Sequence, residues 1–461
     1  MKIWKGLTGA AALAALACGA SAFAADTAQV GATSDNTSFV TPMLFDDTTT
    51  APATAPAAAP ASAPSQTTLT PVMYFLDPTS FGQWLEKYKF NVTGFVEGGY
   101  FIDTNNPRLG TGPHGDAPTL IAYPGNYSNR MLLDQADITF SKSVDSTKQW
   151  DWGFLVEGGY GADDAFIHSH GILDNRAGVI GGGSSSPENQ LDLVQANASI
   201  LVPLGSGLTI TGGKFVAFIG QEVVNPTGNA FFTHSYSFQF GDPVTNTGIT
   251  GSYTFSKLFN GNDWTLDAGI TRGANQSTRD NNGAIDFLGQ FKGSVTDKLS
   301  LVFNLEEGPQ LAHDNGDYST WPELIATYTV SDQLTVVGDF LYYDAPHGSL
   351  ASPGGSAQWY GACLYAAYKY NPMFTLNLRG EVFEDQGGAA IALAAPVSAD
   401  YYEATVGLQI HPFPSDNVLQ WLQFRPELRG DLSNKRVYNG SHSGGGDYSE
   451  LTAAVDVIMQ F

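Results

Sequence analysis

The last fourteen residues of the chain, Tyr448–Phe461 with the sequence YSELTAAVDVIMQF, alternate between apolar and mostly polar side chains. Leu451 and Val455 fall on one side of an extended chain together with the terminal Phe461, whereas Asp456 falls on the other. Successive side chains of a strand point to opposite faces, so this segment has one apolar and one polar surface. Such a strand, ending on an aromatic residue, is typical of the closing strand of a transmembrane β-barrel. We expect Phe461 to act as the signal that the barrel-assembly machinery reads.

The first residues have the composition of an export signal. Lys2 and Lys5 precede the apolar stretch 7–18, and Ala22-Phe23-Ala24 supplies small residues at the two positions that a signal peptidase inspects. We therefore predict a removable signal peptide over residues 1–24 and a mature chain that starts at Ala25. A lipoprotein signal at Cys18 is the alternative, but Ala15 stands where such a signal has Leu.

The composition limits the classes of partner. Without Lys2 and Lys5, 19 basic residues oppose 45 acidic ones, a formal charge of −26, which argues against nucleic acid and favours cations near the protein. Cys363 is then the only cysteine left, so no intrachain disulfide can form. No uncharged apolar run beyond the signal reaches the 18 or so residues of a spanning helix. An exported chain rich in Gly and aromatic residues is then a secreted β protein or a membrane barrel.

Two segments precede the predicted barrel. Residues 25–70 contain a low-complexity Ala/Pro-rich run that cannot bury a core, so we predict an extended periplasmic linker. Residues 71–87 are predicted to contain a short helix, with Phe81, Trp84 and Leu85 at helical spacing behind an N-cap at Asp77 or Thr79.

From residue 88 onward the hydrophobic period is two, and it predicts about sixteen strands of the length that a tilted strand needs to cross a bilayer. The fold class is therefore all-β, a transmembrane antiparallel up-and-down β-barrel over residues 88–461. The predicted strands are 88–102, 130–141, 148–161, 191–202, 207–218, 247–256, 263–273, 284–295, 298–307, 320–330, 333–344, 357–370, 373–384, 400–411, 418–430 and 447–461.

The predicted connections alternate between short and long, as they do in outer-membrane barrels, where periplasmic turns are short and external loops are longer. The short connections include 143–148, 203–207, 257–263, 296–297, 331–332, 371–372 and 412–417. The long ones include 103–129, 162–190, 219–246, 308–319, 345–356, 385–399 and 431–446. This alternation puts both termini on the periplasmic side of the bacterial outer membrane, and soluble sandwiches have no reason to show it.

Face polarity indicates which side of the barrel meets lipid. In the strand 298–307, Leu301 and Phe303 share a face opposite Asn304 and Glu306. A soluble barrel would turn the apolar face inward, whereas a pore turns it outward, against outer-membrane lipid and lipopolysaccharide, around a water-filled lumen. Periodicity alone does not decide between the two. The export signal, the alternating connections, the strand number and Phe461 favour the second.

With the polar face inward, the lumen wall can be predicted residue by residue. Basic groups concentrate on strands 373–384 and 418–430, and opposed acidic and basic walls would set a transverse field that orients hydrated solutes. The alternative is that most of these charges only keep the lumen solvated. The wall candidates are Glu97, Asp137, Glu157, Lys292, Glu306, Asp339, Arg379, Glu381, Glu403, Arg425, Glu427, Arg429 and Asp456.

The third long connection, 219–246, is too apolar for a loop that only contacts solvent. We predict that it folds into the lumen and narrows it, with Glu222, His234 and Asp242 as constriction groups. The alternative is that FFTHSYSFQF (231–240) pairs as a strand, which would make the strand count odd. Lys214 falls on the lipid side by simple alternation, but a bulge at Gly212-Gly213 would turn it inward as a fourth constriction group.

The stretch GKFVAFIGQEVVNPTGNAFFTHSYSFQFGDPVTNTGITGSYTF (213–255) resembles the signature region of the OmpL-like β-barrel porin family. GFVEGGY at 94–100 and FLVEGGY at 154–160 fit the strand style of that family, and the resemblance spans most of residues 80–461. It implies an outer-membrane pore-forming protein and transfers no defined set of functional residues. By analogy with the general porins, it also implies a homotrimer.

Few residues in the sequence have the types and spacing that a catalytic or metal site requires. His234 and Ser235 are sequence neighbours that alternation would point apart, so they do not form a nucleophile–base pair. RDNNG (279–283) and HDNGD (313–317) carry oxygen ligands without the spacing of a calcium loop, and such residues are also ordinary in turns. Cys363 alternates along a strand and is interpreted as an inert wall residue. We predict no enzyme activity, no cofactor and no metal.

The functional hypothesis is a passive diffusion channel for small hydrophilic solutes, with a preference for cations. A substrate-selective channel, for instance for sugars sliding along Trp359, Tyr365 and Trp421, is the alternative. A non-conducting surface or adhesion barrel is a third possibility. The apolar stretch 387–399 could fold inward, contact a neighbouring subunit or associate with lipopolysaccharide, and the sequence does not choose among these.

Overall fold

The computed structural model describes residues 69–103, 130–173, 189–391, 396–438 and 447–461. The predicted signal peptide (1–24) and all but the last two residues of the predicted linker (25–70) lie outside these residues. Most of the long connection 103–129 and parts of 162–190 and 431–446 also lie outside them.

Sixteen antiparallel strands form one closed barrel, in which each strand pairs with its neighbours in the chain and β1 pairs with β16. The strands are β1 Phe90–Asp103, β2 Arg130–Lys142, β3 Asp151–Gly161, β4 Gln190–Val202, β5 Leu208–Val216, β6 Thr245–Phe259, β7 Asn262–Thr271, β8 Asp286–Ser294, β9 Leu299–Pro309, β10 Tyr318–Thr329, β11 Leu334–Ala345, β12 Ala357–Lys369, β13 Phe374–Asp385, β14 Ala399–Ile410, β15 Leu422–Ser433 and β16 Ser449–Gln460.

The predicted fold class is therefore confirmed, and each predicted strand coincides with an observed one. The largest difference is the start of β15, at Leu422 instead of residue 418, because Leu419–Trp421 form a 3₁₀ turn before the strand. The stretch 231–240 does not pair as a strand, so the even strand number is kept.

Short and long connections alternate around the barrel. The shortest is Asn260-Gly261 between β6 and β7, where both residues have positive φ, 51° and 78°. Two left-handed residues are what a tight type I′ hairpin requires, and Asn-Gly is the pair that adopts them most easily. The long connections, including 217–244 between β5 and β6, leave the opposite end of the barrel.

The two faces of the barrel wall differ in polarity in the predicted direction. On the outer face Val96, Ile138 and Val156 are 42%, 57% and 44% exposed. Their neighbours Glu97 and Asp137 are each 2% exposed and point to the interior. Apolar side chains therefore surround the barrel, and charged side chains line its inside, which is the arrangement of a membrane barrel and not of a soluble one.

Phe461 closes the ring together with β1. Its backbone N–H donates to the Gly94 carbonyl, and the Gly94 N–H donates to the Phe461 carbonyl, both at 2.7 Å. The position of Gly94 has no room for a side chain, because a Cβ there would lie 2.4 Å from the Asp137 carbonyl oxygen and 2.6 Å from the Phe461 ring.

Two short helices precede the barrel, α1 Pro71–Leu76 and α2 Ser80–Tyr88. The side chain of Thr79 caps α2 by accepting a hydrogen bond from the Gly82 N–H at 2.9 Å, so the predicted N-terminal helix is present. Within the described ranges, no helix is both long and apolar enough to span a bilayer.

The seam between β1 and β16 gives a test of barrel closure. Gly94→Ala forces a methyl group against the Asp137 carbonyl and the Phe461 ring, and overpacking of this kind typically costs about 1–3 kcal/mol. We expect a lower free energy of unfolding for this variant, measured by urea titration of the folded barrel in lipid vesicles.

Gly338→Ala in β11 is the matched control, because a Cβ at Gly338 would meet no atom within 4 Å. The control should unfold within about 0.5 kcal/mol of the parent protein. Equal stability of the two variants would contradict the packing at the seam.

Candidate functional site in the barrel interior

The predicted lumen-wall residues all lie on the interior face and are all at most 9% exposed. Alternation along the strands puts them there, because every second side chain of each strand points inward. The connection between β5 and β6 enters the barrel and packs against several of them, including Arg379, Glu381 and Glu427. We call residues 219–246 the inner loop. This range covers most of the connection and the first two residues of β6.

Three wall carboxylates bind backbone amides of the inner loop. Glu323 of β10 accepts from the Gly220 N–H at 3.0 and 3.1 Å through its two oxygens. Glu427 of β15 accepts from the N–H groups of Phe232 and Thr233 at 2.8 and 3.2 Å. Because a carboxylate is a strong acceptor, each of these contacts both satisfies the peptide groups and stabilises the buried charge.

Glu381 of β13 makes the third such contact. It accepts from the N–H groups of Tyr236 and Ser237 at 2.6 and 2.7 Å, and from the Ser237 hydroxyl at 2.6 Å. Ser237–Gly241 form a single π-helical turn, so Glu381 accepts from two consecutive amides at the start of that turn.

Three wall guanidinium groups bind backbone carbonyls of the same loop. The Arg379 Nη1 donates to the Thr233 carbonyl at 2.6 Å, and the Arg429 guanidinium donates to the His234 carbonyl. The Arg425 Nη1 donates to the carbonyls of Pro226 and Asn229, each at 2.8 Å. Carboxylates and guanidinium groups of the wall therefore hold the loop through both kinds of peptide group.

Each of these arginines also forms an ion pair within the barrel. Arg379 pairs with Glu403 at 3.1 Å, Arg425 pairs with Asp456 and with Glu97 at 2.8 Å, and Arg429 pairs with Asp431 at 2.9 Å. Buried charges of one sign are costly without such partners. The charge of each arginine that binds the inner loop is therefore neutralised by at least one carboxylate of the barrel wall.

The predicted constriction groups of the inner loop make structural contacts. Glu222 lies between the Arg379 guanidinium at 2.8 Å and the His234 Nδ1 at 2.7 Å, and it accepts from the Tyr365 hydroxyl at 3.1 Å. Burial alone would raise the pKa of Glu222, but Arg379 and His234 lower it to about 2. Glu222 is therefore ionised and paired over the ordinary pH range.

His234 and Asp242 favour their neutral forms. Burial lowers the pKa of His234 against the opposing effect of Glu222, and its ring stacks on Phe238 with 4.2 Å between centroids. Burial raises the pKa of Asp242, and the nearby carboxylate of Glu323 raises it further. The loop thus brings one paired charge and two neutral polar groups to the interior.

Lys214, the fourth constriction candidate, reaches the interior. Gly213 before it has a φ of +136°, and the Lys214 ammonium donates to the Leu193 carbonyl at 2.5 Å and contacts the Asp192 carboxylate at 3.4 Å. Asp192 is 2% exposed and lies on the inner face of β4, so a glycine conformation turns this lysine inward.

Lys214 borders a group of six buried acidic side chains, which we call the acidic patch: Asp134, Asp137, Glu157, Asp163, Asp164 and Asp192. The patch spans β2, β3, β4 and the 3₁₀ turn Asp163–Ala165. Both carboxylate oxygens of Asp134 and of Asp164 are buried, with no hydrogen-bond partner among the side chains that the structure describes. Within the described part of the chain, Lys214 is the only lysine that forms an ion pair with a residue of the acidic patch.

A cluster of aromatic rings fills another part of the interior. Tyr343 stacks on Trp359 with 3.6 Å between centroids, and Trp321 packs edge-on against both. The Trp359 indole N–H donates to the Gly241 carbonyl at 3.2 Å. Ile391, in the apolar stretch 387–399, joins the same core at 2% exposure, so the described part of that stretch folds inward.

Sequence reasoning missed several interior residues. Glu323 follows from simple alternation, since it shares a face of β10 with the buried residues Trp321 and Ile325. Asp164 gives no such signal, because it lies in a turn after β3 whose inward course depends on distant contacts.

Glu427 offers a test of how the inner loop is held. Glu427→Gln keeps the size of the side chain but removes the charge that receives the amides of Phe232 and Thr233. A hydrogen bond to a charged group contributes about 1.5–3 kcal/mol, so we expect the amides of residues 230–235 to exchange with deuterium roughly 10- to 100-fold faster.

Glu307→Gln is the control for the chemical change, because Glu307 is an exposed glutamate on the outer face of β9 and does not point toward the inner loop. It should leave the exchange of these amides unchanged. If the two variants exchange alike, the carboxylate does not hold the loop.

Solved structures of outer-membrane proteins share this architecture. The outer membrane channel DcaP of Acinetobacter baumannii aligns with a TM-score of 0.51 at 12% identity, over 81% of this chain and 97% of its own. OmpF of Salmonella typhi, solved with daunomycin, aligns with a TM-score of 0.51 at 14% identity, over 81% of this chain and 97% of its own. At these identities the likeness concerns the fold. No curated protein matches the chain.

The family comparison goes further than the fold. A family model described as "Putative beta-barrel porin-2, OmpL-like" matches residues 89–461, which is the entire barrel from the start of β1 to the terminal aromatic residue. Together with the closed barrel, its apolar exterior and its charged interior, this match indicates an outer-membrane channel. The chain belongs to the OmpL-like family of β-barrel porins.

Proposed function

We propose that this porin lets small hydrophilic solutes diffuse passively and that it prefers cations. The observation that carries the proposal is the charge on the inner face of the barrel. Arg379, Arg425 and Arg429 are each paired with a carboxylate, whereas the acidic patch holds six carboxyl groups beside a single paired lysine. Where these carboxyl groups are ionised, their negative charge raises the local concentration of cations and lowers that of anions.

We also propose that the inner loop forms the constriction. Support comes from its contacts with strands far apart around the barrel, Glu323 of β10 and Glu427 of β15 among them. In this proposal Glu222 and His234 act by fixing the loop against Arg379, Asp242 contributes a neutral polar group, and Lys214 sets the charge at the edge of the acidic patch. The wall residues tune selectivity around this narrowing.

The remaining proposals concern export and assembly. We propose Sec export with cleavage after Ala24, recognition of Phe461 by the barrel-assembly machinery, and both termini in the periplasm. The outer apolar band would contact lipid and, in the outer leaflet, lipopolysaccharide. A homotrimer is proposed by analogy with the general porins.

Single-channel recording in planar bilayers tests the proposed function. We expect a current that is proportional to voltage, insensitive to added sugars, and with a reversal potential in a KCl gradient that favours K⁺ over Cl⁻. Block by a specific sugar would support the selective channel instead. The absence of any conductance from the folded protein would overturn both and leave a non-conducting barrel.

The preference for cations should also depend on pH. Burial raises the pKa of Asp164 to about 8, with contributions from Asp192 and Glu157. A carboxyl group gains negative charge as the pH rises through its pKa, so the K⁺/Cl⁻ permeability ratio should increase between about pH 7 and pH 9.

Asp164→Asn should reduce this increase, because it removes one of the titrating groups. Glu307→Gln should leave the increase as in the parent protein, since Glu307 lies outside the patch and is exposed. A permeability ratio that is independent of pH, or an Asp164→Asn curve that matches the parent, would contradict the role of the patch.

A further inference from the structure

Helix α2 has three distinct faces: one is buried against the protein, one is polar and exposed, and one is aromatic and exposed. Gly82 and Leu85 are buried, with Leu85 at 0% exposure. Gln83, Glu86 and Lys87 form an exposed polar face. At about 100° per residue, the third face carries Phe81, Trp84 and Tyr88, which we call the aromatic stripe.

The aromatic stripe is exposed although it is strongly apolar. Phe81, Trp84 and Tyr88 are 54%, 45% and 46% exposed, and their rings follow one another at centroid distances of 6.1 and 5.4 Å. Helix α1 adds Tyr74 and Phe75 at 42% and 63% exposure. The two short helices thus carry five large exposed aromatic side chains. Together these side chains form an apolar surface, and a surface of this kind is usually covered by a lipid or a protein partner.

The stripe continues the lipid-facing surface of the barrel. Trp84 stacks on Phe90 at 5.1 Å, and Phe90 contacts Phe140 at 5.6 Å and Phe154 at 5.9 Å. Phe140 belongs to the outer face of β2, where Ile138 two residues before it is 57% exposed. The aromatic stripe is therefore continuous with side chains that point outward from the barrel, not with the interior.

The helix is also fixed in this position. The Lys89 ammonium, one residue after α2, forms a 2.6 Å ion pair with Asp145 in the β2–β3 turn. Lys148 contacts the same carboxylate at 3.8 Å. This end of the barrel carries the short connections, so α2 lies at the rim where the strand ends meet the membrane boundary. The Lys87 ammonium lies 5.3 Å from the centroid of the Tyr88 ring, at the border between the polar face and the aromatic stripe.

We propose that α1 and α2 lie in the lipid interface at this rim, with the aromatic stripe inserted at the boundary between headgroups and acyl chains. Amphipathic helices with aromatic residues on one face and charged residues on the other bind at this depth, and aromatic side chains are favoured there. The helices thereby extend the aromatic belt of the barrel and anchor the segment before β1 to the membrane surface.

The test places a fluorescent thiol label on either face of the same helix. Phe81→Cys puts the label in the aromatic stripe, and Gln83→Cys puts it on the polar face two residues later. Both variants carry Cys363→Ser, so that the label has a single site. Neither change touches a strand, and the slower gel migration of an unfolded barrel on heating checks that both fold alike.

The labelled barrels are reconstituted in phosphatidylethanolamine–phosphatidylglycerol vesicles with and without bromine on the upper acyl chain. Brominated lipid should reduce the fluorescence of the Phe81→Cys label about twofold and leave that of the Gln83→Cys label almost unchanged, as expected for one inserted face. Equal quenching at both positions would overturn the proposal. An unquenched Phe81→Cys label would overturn it as well. If the unlabelled Phe81→Cys thiol then formed a disulfide with a second copy on oxidation, another protomer would be what covers the stripe.

Discussion

The inner loop can exist in the barrel because its peptide groups and the charges of the wall satisfy one another. A buried carboxylate or guanidinium group needs hydrogen-bond partners, and so does each buried N–H and carbonyl of an irregular segment. Glu381 takes two adjacent amides, and Arg425 takes two carbonyls three residues apart. Without the loop, Glu381 and Glu427 would lose these backbone donors, and without the wall the buried peptide groups of the loop would be left unpaired.

A repeated motif makes space for this arrangement. VEGGY occurs in β1 (96–100) and in β3 (156–160), and both copies coincide with a register shift against the next strand, after Glu97 and after Glu157. The second glycine of each copy points inward. A Cβ at Gly99 would lie 2.2 Å from the ring of Phe232 in the inner loop, and a Cβ at Gly159 would lie 2.2 Å from an Asp164 oxygen. The glycine in β1 thus leaves space for the inner loop, and the glycine in β3 leaves space for Asp164 of the acidic patch.

Local patterns were enough to predict the strands but not the contacts inside the barrel. The period of two and the alternating connections fixed all sixteen strands, because each depends on residues that are close in sequence. Alternation also put Arg379 and Glu427 on the inner face. Their partners could not be predicted in this way: Thr233 and Glu427 are 194 positions apart, and which peptide group meets which charge depends on the path of the loop. The same applies to Trp359, which alternation offers as a sugar-binding surface and which the loop covers through Gly241.

Cross-linking of the inner loop to the wall tests this account most directly. A Cβ at Gly361 of β12 would lie 3.2 Å from the Cβ of Ser237, close to the separation in a disulfide. In a Cys363→Ser background, Ser237→Cys and Gly361→Cys together should form an intramolecular disulfide in the folded, membrane-inserted barrel, seen as a mobility difference between reduced and unreduced samples. Two thiols that remain free and react independently with a water-soluble reagent would contradict it, because the loop would then lie elsewhere.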